Sequence, residues 1–228
     1  MEPVKAECRE DTVESREDAL EFLRTYKNRN WFYSGINDTW YTDLNETLTL
    51  GNFPEAVIRN IDEEIMPAFY KILNAGLPRE PTVKSVIKLL EGLWVSELID
   101  ASKKATQETD VRPEIREVLP HLYGTKMCIL TGVDKYPADV FVKDKICPLY
   151  YQNVPAEKQG GHIAVIPTIH CERNGRLTGE VVAVPDNEDR GVLFFIDLFG
   201  YLGYEDKVDE LKKLTKYPVG DKGLNYKF

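Results

Sequence analysis

Residues 162–184 read HIAVIPTIHCERNGRLTGEVVAV, and this stretch decides the fold class. Two apolar runs, His162–Cys171 and Leu177–Val184, flank Glu172-Arg173-Asn174-Gly175-Arg176. Asn-Gly between such runs is a strong local hairpin signal, because a type I′ turn needs positive φ at both central residues. Working outward, strand-like spacing is expected at Lys126–Thr131, Asp139–Val142, Leu149–Gln152 and Val192–Leu198. Gly191 to Phe199 is almost wholly apolar, which predicts a central strand. Tyr204–Lys216 returns to helical spacing, with Val208, Leu211 and Leu214 on one side.

Upstream the period is helical. Ala19, Leu20, Phe22, Leu23 and Tyr26 make one stripe within Glu14–Arg29, and Ser15 with Asp18 resembles an N-terminal cap. A second helix is predicted from Pro54, with a break at Pro67 and a stop at Gly76 and Pro78. A third, apolar on more than one side, runs from Pro81 through Leu90 and Trp94 to Ile99. A short helix follows from Pro113 to Leu119. Helices first and strands later predict an α+β fold: an N-terminal helical layer, then a mainly antiparallel or mixed sheet, then a C-terminal helix. One domain over 1–228 is expected, helical over about 14–120 and sheet-forming over about 125–216.

The chain has 228 residues, 43% hydrophobic and 29% charged, within the range of ordinary globular proteins. No stretch approaches the roughly 18 apolar residues of a membrane span, and Met1–Glu10 lacks the apolar core of a signal peptide. A soluble cytoplasmic protein without a membrane partner is therefore expected. Cys8, Cys128, Cys147 and Cys171 are scattered and form no C-x-x-C pair. The net charge is −9, which argues against sequence-independent nucleic-acid binding. The acids concentrate in the helical half, so a local basic groove stays open in the near-neutral second half.

Nucleotide P-loops, dinucleotide fingerprints, nucleophile elbows, zinc-protease and EF-hand signatures are all missing from the sequence. No cofactor and no metal are expected. Two readings remain. In the first, the loop-like segment 30–51 holds Trp31, Tyr33, Trp40 and Tyr41 beside acids that include Asp62, Glu63 and Glu64. Asp38 to Glu64 carries seven acids against Arg59 alone. Exposed aromatics beside acidic charge suit burial against a basic protein partner, so the leading expectation is a binding or regulatory protein. In the second, His162, His170, Cys171 and Asp197 form the dispersed site of a hydrolase, cysteine-type or metal-dependent. The readings separate on structure: one contiguous exposed aromatic patch favours the first, and His162 or His170 in a pocket with a carboxylate or cysteine within about 3–4 Å favours the second.

Overall fold

A computed structural model describes residues 13–25, 32–34, 39–185 and 187–215. Helix α1 spans Arg16–Thr25. Its cap is the expected one: Asp18 N–H donates to Ser15 Oγ at 3.1 Å, and the hydroxyl returns a bond to Asp18 Oδ2 at 2.6 Å. Strands β1 (Phe32–Ser34) and β2 (Thr39–Thr42) follow. Five helices come next: α2 (Phe53–Ile61), α3 (Met66–Leu73), α4 (Arg79–Leu89), α5 (Val95–Glu108) and α6 (Pro113–Val118). Strand β3 (Lys126–Asp134) leads into α7 (Lys135–Phe141), a π-helical turn at Val142–Ile146 and α8 (Cys147–Tyr150). The hairpin β4 (Ile163–Arg173) and β5 (Arg176–Ala183) precedes α9 (Asn187–Leu202) and α10 (Glu205–Lys212).

The sheet runs β1-β2-β3-β4-β5. β2, β3 and β4 are parallel, and the two edge strands are antiparallel to their neighbours. Side chains alternate across it. Trp40, Met127, Ile129 and Ile163 join the core under α2 to α8. Tyr41, Cys128, Leu130, Ala164 and Ile166 join a second core with Leu193 and Ile196 of α9. Tyr41 closes that second layer by donating to the Leu193 carbonyl at 3.2 Å. Helices cover both faces, which is the arrangement a parallel sheet requires. Each large apolar side chain buried in these layers, such as Leu98 or Ile115, contributes about 1.5–3 kcal/mol.

The fold is thus mixed α/β, and two expectations are corrected. The helical block does not precede the sheet. It is inserted between the adjacent parallel strands β2 and β3, because the segment read as an aromatic loop contains β2. The sheet centre is parallel, not mainly antiparallel. Three expected strands are helical: Asp139–Val142 falls in α7 and the π turn, Leu149–Gln152 in and just after α8, and Val192–Leu198 in α9. The third helix is two, α4 and α5, separated by a turn at Leu90–Trp94. That turn receives the hairpin: Gly92 N–H donates to Leu177 O and Val95 N–H to Gly175 O, at 2.8 and 2.9 Å. The Arg176 guanidinium lies 3.8 Å from the centre of the Trp94 ring. The hairpin itself forms as expected, with Asn174 at φ 53 and Gly175 at φ 74. Among the described residues, no helix is long and apolar enough to cross a membrane.

Candidate active site at the carboxyl edge of the sheet

In sheets of this kind, ligands bind in the crevice outside the carboxyl ends of the strands. Here that crevice is a cavity of about 310 Å³, floored by the ends of β2 and β3 and walled by α2 to α5. The residue following β2 is Asp43, 6% exposed. Its Oδ1 accepts the Leu44 N–H at 2.8 Å and lies 3.5 Å from Arg79 Nη2, at the start of α4. Its Oδ2 has no hydrogen-bond partner among the described residues. On β3, the Thr131 hydroxyl accepts from Val133 N–H at 3.2 Å, which leaves its own proton to donate. Thr131, Gly132 and Asp134 line the same cavity as Asp43 and Arg79.

The loop after Asp43 is held by its own side chains. Asn45 Oδ1 accepts the Phe53 N–H at 2.8 Å, and Asn52 Oδ1 accepts the Glu55 N–H at 3.1 Å, capping α2. Thr49 Oγ1 accepts the Glu46 N–H at 2.8 Å, and Arg112 Nε donates to the Glu46 carbonyl at 3.0 Å. Gly132 lets α4 approach: a β-carbon there would stand 3.2 Å from Arg79 Nε and 3.3 Å from a Val83 methyl. The sequence therefore fixes where the guanidinium sits by omitting a side chain on the opposite wall.

Beyond the cavity, His170 is wholly buried, with Asp134 Oδ2 at Nδ1 and Glu172 Oε1 3.2 Å from Nε2. Asp134 Oδ1 also accepts the Tyr136 N–H, capping α7. Glu172 meets Lys135 Nζ at 2.6 Å and Tyr136 OH at 3.0 Å. The Lys135 hydrogen bond leads in holding the Glu172 carboxyl below its ordinary range. Burial is the largest single influence on Lys135 and opposes its charge, but Glu172 and Tyr136 together outweigh it and raise that pKa.

The other expected site residues separate. His162 precedes β4 at the amino edge of the sheet, its ring 5.3 Å from that of Tyr123. Its Nδ1 is buried without a hydrogen-bond partner among the described residues. His170 lies toward the other end of β4, and the histidines do not meet. Cys171 follows His170 on the strand, so the two side chains leave opposite faces. Asp197 lies in α9 rather than at a strand end. Burial raises the Cys147 thiol to about 11, the reverse of what a thiolate nucleophile requires. Among the described residues, no group of three His, Cys, Asp or Glu side chains could hold a metal ion. At the cavity, Asn45 Oδ1 accepts the Phe53 N–H, and the two Asp134 oxygens are engaged by Tyr136 N–H and His170.

Sequence reasoning missed Asp43, Arg79 and Thr131. The available signal was a buried-type run, Thr39-Trp40-Tyr41-Thr42, followed by an acid, and an apolar run, Met127–Leu130, followed by a threonine and a glycine.

No family model matches the sequence, and no curated protein matches it. Among solved structures, the chain is similar to HAD-family hydrolases and phosphoserine phosphatases. A phospho-aspartyl intermediate analogue of phosphoserine phosphatase is 15% identical at a TM-score of 0.45, covering 72% of this chain and 70% of that one. A substrate-bound phosphoserine phosphatase complex is 14% identical at a TM-score of 0.45, covering 74% and 70%. A HAD-family hydrolase from Salmonella enterica serovar Typhi is 14% identical at a TM-score of 0.48, covering 72% of this chain and half of that one.

The expectation of a binding or regulatory protein is corrected. Two of the four aromatics that motivated the expectation are not at the surface. Trp40 and Tyr41 are fully buried on opposite faces of β2. Trp31 lies outside the described residues, and Tyr33 is described only as pairing with Trp40 in β1. Asp62, Glu63 and Glu64 are exposed at the turn between α2 and α3, where Asp62 Oδ1 caps the turn by accepting the Glu64 N–H.

Proposed function

We propose that this chain is a hydrolase of phosphate monoesters with Asp43 as its nucleophile. One observation carries the reading: a buried carboxylate with one oxygen unbonded, a guanidinium and a hydroxyl with its proton to give all line one cavity at the strand ends. Leu44 N–H and Arg79 fix Oδ1, so Oδ2 is the atom left to attack. Fixing the attacking atom replaces a bimolecular encounter with a positioned one.

In the first step Asp43 Oδ2 attacks phosphorus and the bond from phosphorus to the ester oxygen breaks. That oxygen keeps the bonding electrons and takes a proton, leaving as an alcohol. In the second step water attacks the phosphorus of the aspartyl phosphate and releases its proton. The bond from Asp43 Oδ2 to phosphorus breaks, giving inorganic phosphate and the free carboxylate. Charge on the transferred group spreads over its equatorial oxygens. Arg79 and the Thr131 hydroxyl are the cation and donor placed to stabilise it. Asp134 is committed to His170 and to α7, so Glu46, exposed and lining the cavity, is the remaining carboxyl able to exchange protons with water.

The test is turnover of para-nitrophenyl phosphate, with and without added Mg²⁺, together with acid-quench trapping of labelled phosphate. Wild type should carry a hydroxylamine-labile label that Asp43→Asn lacks, and the variant should lose about three orders of magnitude in kcat. Unchanged turnover in Asp43→Asn, or no turnover of any phosphate ester, overturns the reading.

A further inference from the structure

Among the described residues, two other than glycine take positive φ, Asn174 and Glu46. Asn174 belongs to its hairpin turn. Glu46, at φ 57, has no such local reason, because the left-handed region crowds its β-carbon against the carbonyl oxygen. A backbone of this kind persists only where its surroundings over-determine it, and such outliers cluster at functional sites. Side chains hold both backbone groups of Glu46. Its N–H donates to Thr49 Oγ1 at 2.8 Å, and its carbonyl accepts from Arg112 Nε at 3.0 Å. Arg112 comes from the turn between α5 and α6, 66 residues along the chain. Pro113 keeps Arg112 extended, at φ −52 and ψ 136. The Arg112 N–H donates to the Leu48 carbonyl at 2.9 Å, and the Leu50 N–H to the Asp110 carbonyl at 2.7 Å, so the two segments are tied at three points. Leu44, Thr47, Leu48 and Thr49 are fully buried. Glu46 is exposed and lines the cavity, and its carboxylate has no hydrogen bond or ion pair among the described residues.

We propose that Arg112 is a positioning residue for the site: by fixing the Glu46 carbonyl it holds Glu46 in the left-handed conformation that keeps its carboxylate at the cavity. The proposal rests on the phosphate-ester reading, in which Glu46 is the carboxyl that exchanges protons with water. There the ester oxygen takes its proton from the Glu46 carboxyl as its bond to phosphorus breaks. The resulting carboxylate takes a proton from the water that attacks the aspartyl phosphate, so Glu46 returns to its starting state. Arg112 touches no reacting atom and acts through the backbone. With Glu46 relaxed to negative φ, its side chain would leave the loop in another direction. A reacting group displaced by about 1 Å can cost on the order of 10²-fold in rate. Arg112 Nη1 also stands 3.7 Å from Glu114 Oε1, a partly exposed contact that adds little by itself.

The leaving group tests it. The para-nitrophenolate ion departs as a stable anion and needs little help from a proton, whereas an alkoxide needs it. The ratio of kcat/KM for para-nitrophenyl phosphate to that for ethyl phosphate should therefore rise about 10²-fold in Glu46→Gln, at the low end for general acid catalysis. Arg112→Met should raise the same ratio about tenfold, a smaller effect because the carboxyl is displaced and not removed. Arg112→Lys, which still carries a donor, should bring the ratio back toward wild type. A residue that merely stabilised the fold would lower both esters alike. If Arg112→Met does not fold, Thr49→Val, which releases the other end of the same backbone, should show the same selective rise. An unchanged ratio in Glu46→Gln, or a rise there without one in Arg112→Met, overturns the proposal and leaves the Asp43 hydrolase standing. If the wild type turns over neither ester, the hydrolase reading falls and amide hydrogen exchange decides. Faster exchange confined to residues 44–52 in Arg112→Met then upholds the positioning, and unchanged exchange overturns it.

Discussion

Arg79 Nη2 stands 3.5 Å from Asp43 Oδ1, joining the first residue of α4 to the residue that follows β2. The carboxylate is buried and the guanidinium is about one-third exposed, so the pair sits where cavity meets water. On the proposed hydrolase reading, replacing Arg79 by Met removes the cation beside Asp43. Loss of about 10²-fold in kcat/KM toward phosphate esters is expected, the scale of one lost electrostatic donor. Arg79→Lys should recover only part of it, because an ammonium does not reproduce the planar fork. Wild-type kinetics in Arg79→Met would remove the residue from the site.

Gly132→Ala tests the same pair from the other wall. The new methyl would stand 3.2 Å from Arg79 Nε and 3.3 Å from Val83, so both must shift. The expected cost in stability is about 1 kcal/mol, at the low end for overpacking, because an arginine side chain yields more easily than backbone. Activity should fall by about tenfold. A thermal melt beside a kcat/KM measurement checks it, and activity should suffer more than stability.

The Cys147 thiol, raised to about 11 by burial, should be inert to iodoacetamide in the folded protein at pH 8. Alkylation should accelerate as the pH approaches that value, or once denaturant opens the π turn and α8. Rapid modification of Cys147 at neutral pH, followed by mass spectrometry of the peptide, would contradict the burial described.

The Lys135–Glu172–His170 cluster predicts a pH dependence of stability. The Glu172 carboxyl is held below its ordinary value of 4.5, so the folded state binds this proton less readily than the unfolded chain. Its contribution is therefore complete above about pH 4.5 and is lost as the pH falls through the lowered folded-state value. In urea melts between pH 3 and pH 7, Glu172→Gln should remove that part of the acid-side slope. His170→Leu should cost about 2 kcal/mol, because Asp134 Oδ2 loses its buried hydrogen-bond partner while Oδ1 keeps the Tyr136 N–H.

The hairpin was legible because two positive-φ residues in a row leave few sequence choices, and Asn174-Gly175 is one of them. β2 was not. Thr39, Trp40, Tyr41 and Thr42 are buried on both faces, so the strand carries no alternation to detect. Its aromatics then looked like exposed anchors. With β2 unread, Asp43 passed for one more polar loop residue, although it directly follows the strand that positions it. The error at Val192–Leu198 has the opposite origin. A continuous apolar run suits a buried strand and a buried helix alike, and α9 covers the second face of the sheet with one. Arg79 and Thr131 carry no local mark, because their role comes from proximity created by the inserted helices.

That insertion bears on how the protein is made. Asp43 lies beside β3 only after α2 to α6 have folded back, since Thr39 pairs with Lys126 and Thr42 with Ile129. The loop closed by this pairing is among the longest in the chain, and its entropic cost falls due before the contact repays it. The β4–β5 hairpin closes over two residues and has no such delay. During synthesis the carboxylate leaves the ribosome long before the threonine that completes its cavity. The assembled cavity is therefore a late property of the chain, gained when the central parallel pair zips.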